Sequence, residues 1–427
     1  MPTHSSARHE HLAAVIELMI ARDVMQLEHP LSLDDYLEQF GADTSVILAI
    51  LQTRYLVDRV PIPRSGNLNL IYQYAESPAL FKHFIQMVRV TPACFSSILG
   101  RIETSQVFLN KSNNSQIPIE TQLAIALYRF ARHGNGASVV DIARMAGIGA
   151  GTVDLCTRRV IKAILELHRD VIRPLTSEER LTERRWVRSR NAFPGFEPGI
   201  FQYDGSEITL WQKPGLNGDA YYSRHGLYEL NAQIGCVGSN LRIIDYSVGL
   251  TGSAHDAIAF EKTAASQFSE LIFQDDEFAW ADSAYTASYR VISIHKAPAN
   301  LDPKAQIFDT AVSRIRIRSE HCNAALKGRW QSLKGLRISI NRKRDHLHAM
   351  NWISACFVLH NIALEVEGSD WVEFYAQGKA GGQDSGVAQL ESINEPEEVT
   401  GTSLDGGSRR SQLVDDYFAY YQERHRD

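Results

Sequence analysis

The sequence predicts a mixed chain: an all-helical N-terminal part, then a mixed α/β part built on a five-stranded mixed sheet flanked by helices. Three observations carry this. Apolar residues recur at three-four spacing as far as about Arg190. From Gly199 the pattern changes, and FQYDGSEITLW (201–211) alternates apolar and polar residues as a half-buried strand does. Beyond it, three successive strands give way to helix, strand, short helix, strand and long helix.

The elements follow in order. HLAAVIELMIARDVMQLE and TSVILAILQTRYLVDRV are helical, and RSGNLNL breaks the pattern. SPALFKHFIQMVRVTPACFSSILGRI gives two short helices, with Thr91 and Pro92 as cap and first-turn signals. A short helix over 139–145 then meets the turn AGIGAG, and a longer helix starts near Thr152. This resembles a helix-turn-helix over 139–167, with Thr152, Arg158 and Arg159 near the front of the second helix. A hairpin that only packs has the same pattern. FQYDGSEITLW, YELNAQIGCVG and LRIIDYSVGL are strands, and SAHDAIAFEKTAASQF is a helix. FAWADSAY and RVISIHKAP are strands joined by a short helix, 311–336 is a long helix, and ISACFVLHNIAL closes the part as a buried helix. The domains expected are 1–65, helical; 66–190, helical with the helix-turn-helix; 195–365, mixed α/β; and 366–427, an acidic and largely disordered tail.

Composition narrows the function. No apolar run approaches the ~20 residues of a membrane span, and the N-terminus lacks a signal-peptide pattern. Five scattered cysteines without a CxxC pair argue against a zinc ribbon or a disulfide framework, and for a reducing compartment. The net charge of −6 is unevenly spread: residues 362–427 carry −9 and the rest +3. Residues 312–344 hold ten Lys/Arg and one acid, Glu320. Such a segment can bind a polyanion locally, because screening limits each charge to ~8–10 Å.

The order β-β-β-α-β-α-β-α is that of the RNase H fold, whose first strand lies centrally with the fourth beside it. That order explains why an aspartate interrupts a core strand. Asp204 lies in the first strand, Asp282 ends the fourth, Glu320 sits on the last long helix and Asp256 opens the helix after strand three. Together they could converge as ligands of Mg²⁺ or Mn²⁺, since hard cations take carboxylate oxygens and relieve the repulsion between them. Singly, Asp256 reads as a helix N-cap, Asp282 as a turn residue and Glu320 as an ion-pair partner of Arg316 or Lys327.

Five blocks in order carry a family resemblance over 199–364: YDGSEI, TGSAHDAIAF, ADSAYTAS, RIRSEHCNAALKGRW and ACFVLHNIA. The chain resembles PIF/Harbinger-type transposases, the group that includes the harbinger transposase-derived nucleases. The resemblance implies a DDE catalytic domain with Asp204, Asp282 and Glu320 catalytic and those three with Asp256 binding metal. It also implies that Arg316 and Lys327 contact DNA phosphates; Arg329 of the same basic segment is expected to join them. The function expected is metal-dependent cutting and joining of phosphodiester bonds at transposon ends, with terminal repeats and target as double-stranded DNA substrates. A homodimer or higher oligomer, a Myb-like partner protein and a nuclear, partly cytoplasmic location go with it. The alternative is a domesticated DNA-binding or chromatin-associated protein without cleavage.

Overall fold

The structure is a computed structural model. It describes residues 7–28, 30–53, 66–110, 113–254, 256–376 and 404–425. The chain divides into two units at Arg64/Ser65. The first holds α1 (Ala7–Gln26) and α2 (Leu33–Gln52), which pair with each other.

The second unit begins with α3 (Asn69–Glu76), α4 (Phe81–Val88) and α5 (Pro92–Ile102). Thr91 caps α5 by accepting from the Cys94 N–H, and Pro92 stands in its first turn, where its missing N–H costs nothing. α6 (Ile119–Phe130), α7 (Val139–Ala146) and α8 (Ala150–Glu166) follow. Gly147, at φ 68°, ends α7 in the left-handed conformation that glycine adopts without strain. Next come α9 (His168–Val171) and α10 (Ser177–Arg190).

The sheet has five strands in the order β3-β2-β1-β4-β5. They are β1 (Phe201–Thr209), β2 (Glu229–Val237), β3 (Ile243–Thr251), β4 (Ala279–Ala281) and β5 (Val291–Ser293). β1, β2 and β3 form an antiparallel meander, while β4 and β5 extend it in parallel from β1. The strand pattern is therefore as expected, with two differences in the connections. The helix after β3 is broken into α11 (Asp256–Phe260), α12 (Ala264–Gln267) and α13 (Ser269–Ile272). The break has a cause: Asp245 of β3 accepts the N–H groups of Ala264 and Ala265, so a new helix starts there. Between β4 and β5 the chain makes turns in place of the expected short helix.

α14 (Pro303–Arg329) lies against β1 and β2, and α15 (Lys343–Glu367) is the central helix of the largest core. That core joins helices α3 through α9 to one face of the sheet. A second core gathers Phe201, Tyr203, Trp280 and Phe308 with α10.

The tail departs from expectation. α16 (Ser369–Ala376) packs on α14, burying Val372 and Tyr375. α17 (Leu404–Arg424) buries Val414 and Tyr417 in the second core. The acid count concealed the first of these stretches; the second contains LVDDYFAYYQERH, which the sequence reads as a short terminal helix and which starts earlier than expected, and the aromatic residues of both supply the buried area that disorder lacks. Most of 380–410, expected to be unstructured, lies outside the described residues; its last residues, from Leu404, are helical.

Candidate active site

β1 builds the site by alternation. Asp204 pairs across the ladder with Ile234, and Gly205 with Gln233, so the two neighbours face opposite sides of the sheet. The Asp204 side is the one α14 covers. There Ser319 Oγ and Asn323 Nδ2 of α14 each lie 3.3 Å from Asp204 Oδ2, and Asn323 Nδ2 also donates to the Gly205 carbonyl at 3.2 Å. β4 runs parallel to β1 with Ala281 opposite Tyr203. Asp282, one residue on, therefore stands beside Asp204 at the end of that ladder.

Asp256 comes from the opposite face. Its Oδ1 accepts from Asn231 Nδ2 at 3.1 Å and Gln233 Nε2 at 3.0 Å. Gln233 in turn accepts from the Tyr285 hydroxyl. Gly205 is what allows the approach: a Cβ there would lie 2.6 Å from Asp256 Oδ1. Asp256 is thus hydrogen-bonded into the sheet and is not the N-cap that its position suggests.

The electrostatics tie the four acids together. Burial pushes the Asp204 carboxyl up to about 7; Arg316 opposes this, while Asp282, Asp256 and Glu320 add to it. A half-buried acid among like charges wants either a proton or a cation. Asn323 Oδ1 is buried and has no hydrogen-bond partner. An unpaired oxygen beside a crowded carboxylate is an oxygen donor set that suits a hard divalent cation.

The expected close cluster of carboxylates is, however, not formed. Among the described residues no three His, Cys, Asp or Glu side chains are grouped closely enough to hold a metal ion. Glu320 is 55% exposed and bound to Arg316 at 2.8 Å, one turn back on α14. Like charges repel, and Arg316 offers the opposite charge at helical spacing.

The basic residues divide. Lys327 points into the sheet, where its Nζ donates to the Glu207 carbonyl at 2.9 Å and burial lowers its pKa. Arg329 is buried and forms a 2.7 Å ion pair with equally buried Glu367 of α15. Both were expected at DNA phosphates. Instead they lock α14 to its neighbours, because the face of α14 that carries them is its packing face. Arg318 is also buried, paired with Glu373 of α16 at 2.6 Å. Arg314, Lys334, Arg342, Lys343 and Arg344 remain exposed. On α8, Arg158 is exposed and bound to Asp154 at 3.0 Å, while Thr152 and Arg159 are half-buried.

Sequence reasoning missed Ser319, Asn323, Asn231, Gln233 and Gly205. Asn323 was open to discovery, since it lies three residues after Glu320 and seven after Arg316 on one helix.

Residues 203–361 match the family model for the DDE superfamily endonucleases. The match spans Asp204, Asp256, Asp282 and Glu320 and runs from β1 into α15. No curated protein and no solved structure matches the chain significantly. This segment, with its five-stranded mixed sheet, is similar to DDE endonucleases, whose membership suggests a metal-dependent nuclease acting on DNA.

Proposed function

We propose that the chain is a divalent-metal-dependent DNA nuclease, and more narrowly a PIF/Harbinger-type transposase or a nuclease descended from one. A single observation supports the reading: Asp204 in β1 and Asp282 each come one residue after the last β1–β4 pair, Tyr203 with Ala281, and Asp282, Asp256 and Glu320 all act on the Asp204 carboxyl. The strand order β3-β2-β1-β4-β5 supports an RNase H-like fold.

Asp204, Asp282 and Glu320 are the residues that would hold the cation, with Glu320 leaving Arg316 to do so. When bound, the cation supplies neutralising charge and polarises a phosphodiester oxygen. Ser319 and Asn323 fix the direction of the Asp204 carboxylate. Asp256, held by Asn231 and Gln233, acts from behind β1 by its charge. Arg316, once released, is placed to take a phosphate oxygen of DNA, as are the exposed Arg314, Lys334 and the 342–344 run. The α7–turn–α8 unit supports the helix-turn-helix reading, with Thr152, Arg158 and Arg159 toward DNA. Transposon ends as substrate, a Myb-like partner and a nuclear workplace belong to the same proposal.

The test is plasmid DNA carrying candidate terminal repeats, incubated with the protein and Mg²⁺ or Mn²⁺. Nicking that disappears in Asp204→Asn while DNA binding persists is the expected result. Binding without any nicking by the parent would favour a DNA-binding protein without cleavage, a reading to which the Glu320–Arg316 pair lends itself.

A further inference from the structure

The hairpin of α1 and α2 presents an apolar face that the nuclease reading does not use. Its two helices meet along a narrow seam. Gln26 binds Gln39 at 3.0 Å, Arg22 binds Asp43 at 3.0 Å, and Met19 and Ile47 continue the line as half-buried residues. No side chain of α2 is buried, nor any described side chain of α1. Half of the large hydrophobic side chains that stand exposed among the described residues lie between Ile16 and Leu51.

These side chains are not scattered. Ile16, Ile20 and Val24 recur every fourth residue on α1, and Tyr36, Phe40 and Leu51 share a stripe on α2. In antiparallel helices both stripes fall on the same rotational side of the seam. One face of the hairpin is therefore apolar across both helices. Asp34 and Glu38 point away from it; Glu17, seven residues before Val24, lies at its outer edge, and Asp23, at its rim, is bound by Arg22 at 3.0 Å.

We propose that this face pairs with the same face of a second copy of the chain, giving a four-helix bundle about a two-fold axis. Three arguments select that occupant. Two helices cannot enclose a core, whereas four can. Its charges are confined to its edges, at Glu17 and at the Arg22-bound Asp23, so its apolar centre meets itself without repulsion and offers little to a basic or acidic partner. Twenty-residue helices lie ~30 Å long and ~10 Å wide, so the face offers on the order of 600 Å² per copy, within the range of specific interfaces. A self-complementary patch is what a two-fold interface requires. The proposal stands apart from the nuclease reading and survives its failure.

Sedimentation of the full chain tests it. The parent should be dimeric at micromolar concentration, and Ile20→Glu with Phe40→Glu should weaken the dimer by roughly 100-fold or more, with unchanged helix content by circular dichroism. A gentler pair of variants guards against misfolding. All five native cysteines are buried, so Ile20→Cys adds one accessible thiol on the face and Glu38→Cys one behind it. A flexible bismaleimide should join two copies through Ile20→Cys and not through Glu38→Cys. A monomeric parent, a dimer indifferent to the glutamates, equal cross-linking at both positions, or an Ile20→Cys thiol shielded in a monomer would each overturn the proposal.

Discussion

Asp204 concentrates the strain of the site. Burial, reinforced by three acids, raises its pKa from 3.8 to about 7. Between those values the folded chain holds a proton that the unfolded chain has lost, so without metal the fold loses stability as pH rises through that window. Asp204→Asn keeps the shape and removes the charge. It should raise the melting temperature of the metal-free protein at about pH 8 and do little near pH 4. Mn²⁺ should raise the melting temperature of the parent and not of the variant; equal responses would remove Asp204 from the metal site. Gly205 makes a sharper geometric test. An alanine there would place its Cβ 2.6 Å from Asp256 Oδ1. Gly205→Ala should cost about 1–3 kcal/mol of stability by overpacking, and denaturant unfolding measures it.

α14 shows how one helix divides its tasks. Glu320 is exposed and holds Arg316, itself only 16% exposed and close enough to act on Asp204, while Lys327 and Arg329 are turned inward. Arg316→Ala should leave the fold intact, weaken DNA binding for every sequence alike, and reduce the salt slope by about one counterion. Lys327→Met should leave that slope unchanged, since its ammonium serves the Glu207 carbonyl. Arg329→Ala leaves Glu367 buried without its partner and should destabilise by about 3–5 kcal/mol in urea unfolding. α15 adds a pH dependence of its own. Burial lowers the pKa of His360 from 6.5 to about 4, although its hydrogen bond to the Leu241 carbonyl acts the other way. The folded chain refuses a proton that the unfolded chain takes, so stability should fall as pH drops from about 6.5 toward 4. His360→Gln should flatten that part of the profile.

Across the second unit, the end of the sequence returns to the edge of the sheet. α17 brings Tyr417 against Phe196 and Phe308, and Arg410 reaches the Ser293 carbonyl of β5 at 3.4 Å. Lys304, at the start of α14, binds Asp415 at 2.7 Å. The terminal helix is therefore part of the second unit, not a dispensable tail. Ending the chain after residue 376 should lower the melting temperature by several degrees, because two aromatic-rich contacts leave the second core exposed. An unchanged melting temperature would show that α17 contributes nothing to the fold.

The sequence by itself determined the elements. Alternation in 201–209 made β1, three-four spacing made the long helices, and Thr91 with Pro92 set the start of α5, because these signals act between near neighbours. It also marked Asp204 as out of place in a strand. Tertiary structure decided the rest. Which side of α14 faces the sheet turned Lys327 and Arg329 inward, a matter of where the helix lies rather than what it contains. The parallel pairing of β1 with β4 brought Asp282 to Asp204 across the ladder, and Gly205 admitted Asp256 from the far face. That Glu320 pairs with Arg316 instead of joining the other acids could be decided only in three dimensions, since charges interact through space and not along the chain.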